Sequence, residues 1–228
     1  MAYPALMAGR RWDGWADDAF ATHPEVEELE LGDDDAVSRV RALSVEVREG
    51  EADGVVLSEM TVAGAGLVGS KLTDAQLSDV LVAGADLAGV RWPAVLLRRV
   101  ELRGARLTGA DLSEARFQQV RAREGRFDST VWTDAHLRDV TFEDCSFADA
   151  FLGGARLERV RFVRCDLTGA DLDRVHLDAV DLRSSQVEGV RRLGDLRGAV
   201  IDPTQARDVA ERLAQQIGLI VEPELDPD

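Results

Sequence analysis

The residues of this chain that could support metal binding or thiol chemistry are few and widely spaced. Cys145 and Cys165 lie twenty positions apart, and His136 and His176 lie forty positions apart. A disulfide needs Cα atoms within about 7 Å of each other, and a shared metal ion needs ligand atoms about 2 Å from it. Whether either pair can meet depends on the elements that position these side chains.

Those elements follow a repeat with a period of five residues. Apolar residues, all large except Ala122, occupy every fifth position from Leu57 to Val187, which gives 27 consecutive positions, of which 21 are Leu or Phe. Two positions before each large residue stands a small one, and ten of these are Ala and ten are Val. Neither an α-helix nor a straight strand places residues of this period on one side. The pattern therefore predicts a chain that turns a corner every five residues, with two side chains inward and three outward.

A second period of twenty residues indicates that four such sides close one coil. The column formed by Val80, Val100, Val120, Val140, Val160 and Val180 is entirely valine. Another column at the same spacing holds only small residues, namely Ala65, Ala85, Ala105, Gly125, Cys145, Cys165 and Ser185. The motif thus repeats every five residues and the coil every twenty.

This geometry decides what the cysteines and histidines can do. Cys145 and Cys165 should stack inward on adjacent coils, where their Cα separation would permit a disulfide. Because their side chains run parallel and the cytoplasm is reducing, we expect free, buried core residues instead. His136 and His176 should share an outward column two coils apart, about 10 Å, which is too far for one metal ion.

The remaining candidate residues also favour structural roles. Trp92 and Trp132 occupy large inward positions, so we expect them in the core. The sequence contains no recognisable Ser/His/Asp set, phosphate loop or paired-carboxylate cleft, and a convex rod offers no pocket for one. We therefore expect a protein that is not an enzyme and that has no catalytic residue, no cofactor and no metal site.

The repeats resemble a known family. Ala85-Asp86-Leu87 and Cys165-Asp166-Leu167 are similar to the A(D/N)Lxx signature of pentapeptide-repeat proteins, as are residues 110–112, 170–172 and 180–182. The resemblance implies an all-β fold, a right-handed quadrilateral β-helix. From residue 35 to residue 190 the chain would form about eight coils, a rod of roughly 37 Å at the ~4.8 Å spacing of neighbouring strands.

The regular ladder should end near Arg192, because a charge at a large inward position cannot be buried unpaired. The phase then shifts by one residue, and Leu196 and Ile201 become the last inward residues. Asp202-Pro203 with Gln205 predicts a helix start, and Gly218 predicts its end. We expect the helix to cap the open edge or to form a homodimer contact, as it does in related family members, through an apolar face of Ala206, Val209, Ala210, Leu213 and Ile217.

Three segments follow from these boundaries: an acidic N-terminal arm and cap over 1–34, the β-helix over 35–202, and the C-terminal helix and tail over 203–228. Residues 1–34 carry nine acids and two arginines, with Trp12 and Trp15. The arm is either a solvated cap or a partner-binding acidic segment. The first ten residues lack the features of a signal peptide and no stretch is long and apolar enough to span a membrane. We therefore expect a cytoplasmic protein that does not bind a membrane.

Two outward features are the best candidates for a partner-binding surface. One coil carries an acid at the end of all four sides, and we call these residues the acidic girdle: Asp134, Asp139, Asp144 and Asp149. Val131 and Phe151 both face outward on adjacent coils, so they should form a small exposed apolar patch.

Two hypotheses for function remain open. The resemblance implies one of them, a DNA-mimicking rod that binds a type II topoisomerase, DNA gyrase or topoisomerase IV, as in the quinolone-resistance branch. A net charge of −16 disfavours direct binding to nucleic acid. Residues 35–190, however, carry 26 acids and 20 bases, whereas about 37 Å of duplex DNA bears about 22 charges. The alternative is a general protein-interaction scaffold with an unknown protein partner.

Overall fold

The computed structural model describes residues 14–16, 18–47 and 50–221. The described part contains seventeen short strands, one 3-10 helix and one α-helix. The strands are β1 (Glu25–Val26), β2 (Leu29–Leu31), β3 (Ala36–Ser38), β4 (Arg41–Ala42), β5 (Val45–Val47), β6 (Glu51–Asp53), β7 (Val56–Ala63), β8 (Lys71–Thr73), β9 (Gln76–Ala83), β10 (Leu96–Arg103), β11 (Arg116–Gln118), β12 (Arg121–Arg123), β13 (His136–Arg138), β14 (Thr141–Glu143), β15 (Arg156–Glu158), β16 (Arg161–Val163) and β17 (His176–Asp178). The 3-10 helix is Leu193–Leu196 and the α-helix, α1, is Pro203–Gln216.

All strand pairs are parallel, and from β3 onward each residue pairs with the residue twenty positions later. Leu77 pairs with Leu97, Leu97 with Phe117, and Phe117 with Leu137. Isolated bridges continue the same register between the strands, for example Val131 with Phe151. The chain is therefore a β-helix of about eight coils with one C-terminal helix, as the twenty-residue period predicts.

The interior is filled by the two inward columns of each side. The small residues and the large residues of the repeat are buried almost throughout, from Ala42 to Val190. The middle coils contain an aromatic stack made of Phe117, Phe127, Trp132, Phe142, Phe147 and Phe162. Trp92 and Trp132 are buried in the core as predicted.

The corners are made by the last residue of each five-residue side, which adopts the left-handed conformation. Gly104, Asp79 and Ala94 are examples from three of the four corners of the coil, with φ of 59°, 59° and 58°. Glycine, aspartate and asparagine tolerate this region better than other residues. The demand explains why glycine and aspartate recur at this position of the repeat.

The ladder begins earlier than the sequence predicts, so the boundary between residues 34 and 35 is wrong. Glu25 pairs with Arg41 and Leu29 pairs with Val45, an offset of sixteen rather than twenty. The first turn is therefore a shortened coil. It escapes the five-residue pattern because its sides are shorter, although Leu31 is buried like any core residue.

The ladder ends where the sequence predicts. Arg192 is exposed and forms ion pairs with Asp171 and Asp173, at 3.7 and 2.9 Å. The final bridge joins Asp181 to Val200, an offset of nineteen. Leu196 and Ile201 pack against the core after this one-residue shift.

Candidate binding surfaces

The acidic girdle occupies the four corners of one coil. Its aspartates have φ values of 53°, 55°, 53° and 54° in chain order, and all are exposed. Because the corners point in four directions, a partner lying on one side of the rod can reach no more than two of them. The girdle is therefore a structural ring rather than a single surface.

Two girdle carboxylates are neutralised by arginines of the next coil. Asp139 accepts hydrogen bonds from Nε and Nη2 of Arg159, at 2.7 and 2.9 Å. Asp144 accepts two from Arg164, both at 2.7 Å. These arginine hydrogen bonds hold the pKa of Asp139 and of Asp144 below the usual aspartate value. The negative charge that the girdle offers a partner is thus reduced by two such pairs.

Val131 and Phe151 are adjacent in register, as predicted, but they are half-buried rather than exposed. The Phe151 ring lies over Gly153, where an added Cβ would stand within 2.7 Å of ring atom Cε1. A shallow groove of about 530 Å³ runs beside this ring and reaches Asp134 and His136. Only glycine leaves room for the ring here, so the groove is built by the sequence Phe151-Leu152-Gly153-Gly154.

Charge is distributed unevenly around the rod. We number the four faces from the coil at 95–114: the first face contains 95–99, the second 100–104, the third 105–109 and the fourth 110–114, each with the sides stacked on it at twenty-residue intervals. Over residues 75–174 the first and second faces carry 7 acids and 11 bases. The third and fourth faces carry 9 acids and 4 bases. The rod is therefore basic on two adjacent faces and acidic on the other two, although its net charge over these coils is only −1.

The helix α1 begins as predicted, with a capping box between Asp202 and Gln205 and with Pro203 in its first turn. Backbone N–H groups of Gln205 and Thr204 hold the pKa of Asp202 below the usual value. The predicted apolar face does not pack on the rod, and the alternative that it forms a dimer contact stays a prediction. Of its five residues only Val209 is buried, whereas the other four are exposed: Ala206, Ala210, Leu213 and Ile217.

A polar stripe faces the last coil instead, because that coil ends in backbone carbonyls that need donors. Gln205 donates from Nε2 to the carbonyls of Leu182 and Ser185, at 2.8 and 2.6 Å. Arg212 donates from Nη2 to the carbonyl of Val190 at 2.7 Å. The helix therefore caps the rod and leaves an apolar stripe open to solvent.

A contact that sequence reasoning missed fixes part of the N-terminal arm to the second face. The backbone N–H of Trp15 donates to Glu101 at 2.6 Å, and its indole N–H donates to the carbonyl of Arg99 at 3.2 Å. Glu101 is fully buried although its position in the repeat is outward. One sign of this contact is present in the sequence. Glu101 is an acid two positions before Arg103, and it occupies the same column as the apolar Leu81, which is buried. Trp12 lies outside the described residues.

The cysteines and histidines occupy the predicted places. Cys145 and Cys165 are buried, free thiols. A hydrogen bond with the Cys165 thiol, together with burial, raises the pKa of Cys145 above the usual cysteine value. His136 and His176 are exposed on the first face, with Arg156 in register between them.

The comparisons with known proteins agree with this architecture. Residues 75–152 match a family model described as a pentapeptide repeat region, and residues 161–191 match one described as pentapeptide repeats. These two stretches of the chain consist of pentapeptide repeats. No match was found among curated proteins.

Three solved pentapeptide-repeat or resistance proteins are similar to this one. HetL from the cyanobacterium Nostoc, involved in heterocyst differentiation regulation, is 18% identical, with 78% of this chain and 90% of HetL covered and a TM-score of 0.40. A trypsin-treated form of QnrB1, a plasmid-mediated fluoroquinolone resistance protein, is 17% identical, with 87% and 99% covered and a TM-score of 0.39. Rfr23 from the cyanobacterium Cyanothece is 19% identical, with 68% and 92% covered and a TM-score of 0.23.

Within its described residues, the protein contains no cluster of three His, Cys, Asp or Glu side chains that could hold a metal ion. The described helices include none that is long and apolar enough to cross a membrane. The outer surface of the described residues presents charged columns, shallow grooves beside Phe151 and beside Arg116, and the exposed apolar stripe of α1.

Proposed function

We propose that this protein is a non-catalytic scaffold that binds a protein partner on the side of its rod. The observation that carries the proposal is the division of charge, with 11 of 15 bases on the first and second faces and 9 of 16 acids on the other two over residues 75–174. Complementary charge steers association and selects partners. A solid interior leaves the side of the rod as its functional surface.

The groove between the fourth and first faces is the contact that we assign to this partner. It joins an aromatic ring, Phe151, to a carboxylate, Asp134, and to the basic side chains of Arg156 and His136. Aromatic residues next to arginine are typical of interface hot spots. Of the residues that the sequence predicted for this surface, the proposal keeps Phe151 and Asp134, which line the groove.

The test is proximity labelling in the source cells with the wild-type protein and two variants as baits. Phe151→Asp should lose the partner, because it removes the ring and adds a charge at the groove. Val68→Asp is the matched control, because Val68 is exposed on the third face in an early coil. The proposal is rejected if no protein is enriched on the wild type relative to Phe151→Asp.

A type II topoisomerase is the second candidate partner, as a target of DNA mimicry. The acidic third and fourth faces support it, together with the seven acids between Glu25 and Asp35. The charge density opposes it, because five coils span about 24 Å, over which duplex DNA bears about 14 charges, and the two acidic faces have a net charge of −5 there. A supercoiling assay with and without a quinolone decides this point. The hypothesis fails if micromolar protein neither inhibits gyrase nor protects it.

We also propose that α1 forms a homodimer contact. Its open stripe includes Leu213 and Ile217, which are 36% and 75% exposed, and continues into Leu219, Ile220 and Val221. A second copy would bury this stripe and cover the same stripe on its partner. Sedimentation should therefore give a dimer for the wild type and a monomer for Leu213→Asp/Ile217→Asp, with Arg207→Glu on the exposed surface of the helix as the control.

A further inference from the structure

Four basic side chains form a single column on the first face. Arg116, His136, Arg156 and His176 occupy equivalent outward positions on four consecutive coils, paired in register from each coil to the next. All four are exposed. At the ~4.8 Å spacing between coils the column is about 14 Å long. We call it the basic column.

The basic column differs from the columns at the corners, where arginine and acid pair across adjacent coils. Asp79 pairs with Arg99 and Asp139 with Arg159, each twenty positions apart. Like charges in neighbouring positions of a sheet are destabilising, so mixed columns are the stable arrangement for the free protein. The basic column instead alternates arginine with histidine and holds no acid, so nothing within it neutralises its two guanidinium charges.

The two arginines of the basic column have no partner of their own. Among the residues that the structure describes, the guanidinium group of neither Arg116 nor Arg156 forms a hydrogen bond or an ion pair; only their backbone N–H groups donate, to the carbonyls of the previous coil. Glu158, the nearest acid in sequence to Arg156, forms ion pairs with Arg159 and with Arg138 instead. Both guanidinium groups are therefore available to an incoming ligand.

Grooves flank the basic column on both sides. The groove beside Phe151 includes His136, Arg156 and His176 in its wall. A second groove of about 430 Å³ includes Arg116, His136 and Arg156, together with the half-buried Leu96. An extended ligand lying along the column could therefore place side chains in shallow grooves with apolar walls on either side.

We propose that the basic column binds an extended acidic peptide segment of the partner protein. An extended chain returns to the same side every second residue, about 6.8 Å apart, so three alternating carboxylates span about 13.6 Å. That length matches the basic column, and arginine forms strong paired hydrogen bonds with carboxylates. The proposal rests on the scaffold function and names the chemistry of the partner.

A peptide fits this surface better than a nucleic acid does. The chain carries a net charge of −16, and the third and fourth faces of the rod are acidic. A long polyanion would be repelled by that field. A short segment with three carboxylates contacts the basic column alone.

The test is fluorescence anisotropy with a labelled peptide in which glutamate alternates with serine, titrated with the full-length protein. The double variant Arg116→Glu/Arg156→Glu should bind this peptide at least about tenfold more weakly, because two charge-assisted contacts are reversed. The matched control is Arg91→Glu/Arg126→Glu, which makes the same charge change at exposed positions on the fourth and third faces. Circular dichroism verifies that both variants keep the β-helix.

Three results would overturn the proposal. They are no binding of the glutamate peptide by the wild type, equal weakening in the two double variants, and tighter binding of a labelled oligothymidine than of the peptide. The last result would assign the column to nucleic acid. If a partner is labelled in a Phe151-dependent way but the peptide does not bind, the scaffold function is supported. Only the proposal that the basic column binds an acidic peptide is then rejected.

Discussion

Trp15 and Glu101 are joined by a hydrogen bond that spans 86 positions of the chain, from the Trp15 backbone N–H to Oε2 of Glu101 over 2.6 Å. Oε1 of the same carboxylate accepts from Nε of Arg103 at 2.8 Å. The carboxylate is fully buried beneath the N-terminal segment. A buried charge of this kind is tolerated only when paired, and Glu101 is paired by Trp15, by Arg103 and by Arg123, whose Nε lies 3.7 Å from Oε1.

Replacing Glu101 by alanine should therefore lower the free energy of unfolding by about 2 kcal/mol, because the arginine loses its buried partner. Urea denaturation measures this loss, and hydrogen exchange should show a faster-exchanging Trp15 amide. Glu124→Ala is the control: Glu124 is an exposed acid on the same face, and its removal should change stability by less than about 0.5 kcal/mol. Equal losses in the two variants would show that the Trp15 contact contributes nothing.

The two inward tryptophans should respond differently to replacement by leucine. Nε1 of Trp132 donates to Thr130 at 2.8 Å, and its ring packs against Phe117. Nε1 of Trp92 is buried without a partner among the described residues, which is itself a cost of about 1–3 kcal/mol. Trp132→Leu should therefore lower the free energy of unfolding by about 3 kcal/mol, and Trp92→Leu by less than about 1 kcal/mol, since the lost packing is offset.

Thermal and urea unfolding of the two tryptophan variants provide the comparison. Each serves as the control of the other, because both make the same change at equivalent positions of the repeat, forty residues apart. A loss for Trp92→Leu as large as that for Trp132→Leu would contradict the interpretation of the unpaired indole.

The regular coils could be predicted from the sequence because each inward position sees only its neighbours in the repeat. Leu97 sits between Leu77 and Phe117 in register, and the same local rule places every large inward residue. The corner conformation is equally local, since one residue in five must turn the chain. Because the same local pattern recurs in every repeat, it predicts the structure of all the regular coils.

The ends of the rod could not be predicted in this way. The apolar face of α1 was expected either to cap the last coil or to form a dimer contact. The last coil presents carbonyls, so Gln205 and Arg212 make the capping contacts. The Trp15 contact with Glu101 joins a non-repeating segment to the repeat, and no periodicity marks it. At both ends the contacts are hydrogen bonds to polar groups, and the spacing of hydrophobic residues in the sequence does not predict such bonds.

Ala94 is strained by the corner that it forms. Its φ is 58° and its side chain is exposed and cannot hydrogen-bond to the backbone. The left-handed conformation costs a non-glycine residue about 1–2 kcal/mol. Replacing Ala94 by glycine removes this cost, but the greater conformational entropy of glycine in the unfolded chain offsets part of the stabilisation. Ala94→Gly should therefore raise the free energy of unfolding by about 0.5–1 kcal/mol.

The control for Ala94 is Ala148→Gly, at a turn position that is not left-handed. That variant should lose about 0.5–1 kcal/mol, because glycine there only gains freedom in the unfolded chain. Both are measured by urea denaturation at neutral pH. Destabilisation of both variants by the same amount would reject strain at the corner.

Acid should destabilise the rod in part through its cross-coil pairs. The hydrogen bonds from Arg159 hold the pKa of Asp139 below the usual value, so on acidification the unfolded chain takes up the proton first. The contribution of the pair is full above the unfolded pKa of about 3.9 and is lost as pH falls through the folded pKa. Because both side chains are partly exposed, at 29% and 41%, the pair contributes no more than about 1 kcal/mol.

Urea denaturation at pH 7 and pH 3 tests this pair with Arg159→Gln. The variant should be less stable than the wild type by up to about 1 kcal/mol at pH 7, and this difference should shrink at pH 3, below the unfolded aspartate pKa, where the wild type loses the contribution of the pair. Arg126→Gln is the control, since Arg126 is exposed and forms no ion pair with a described residue; its difference from the wild type should stay small at both values. If Arg159→Gln differs from the wild type equally at pH 7 and pH 3, the effect of Arg159 is packing of its side chain and not the charge of Asp139.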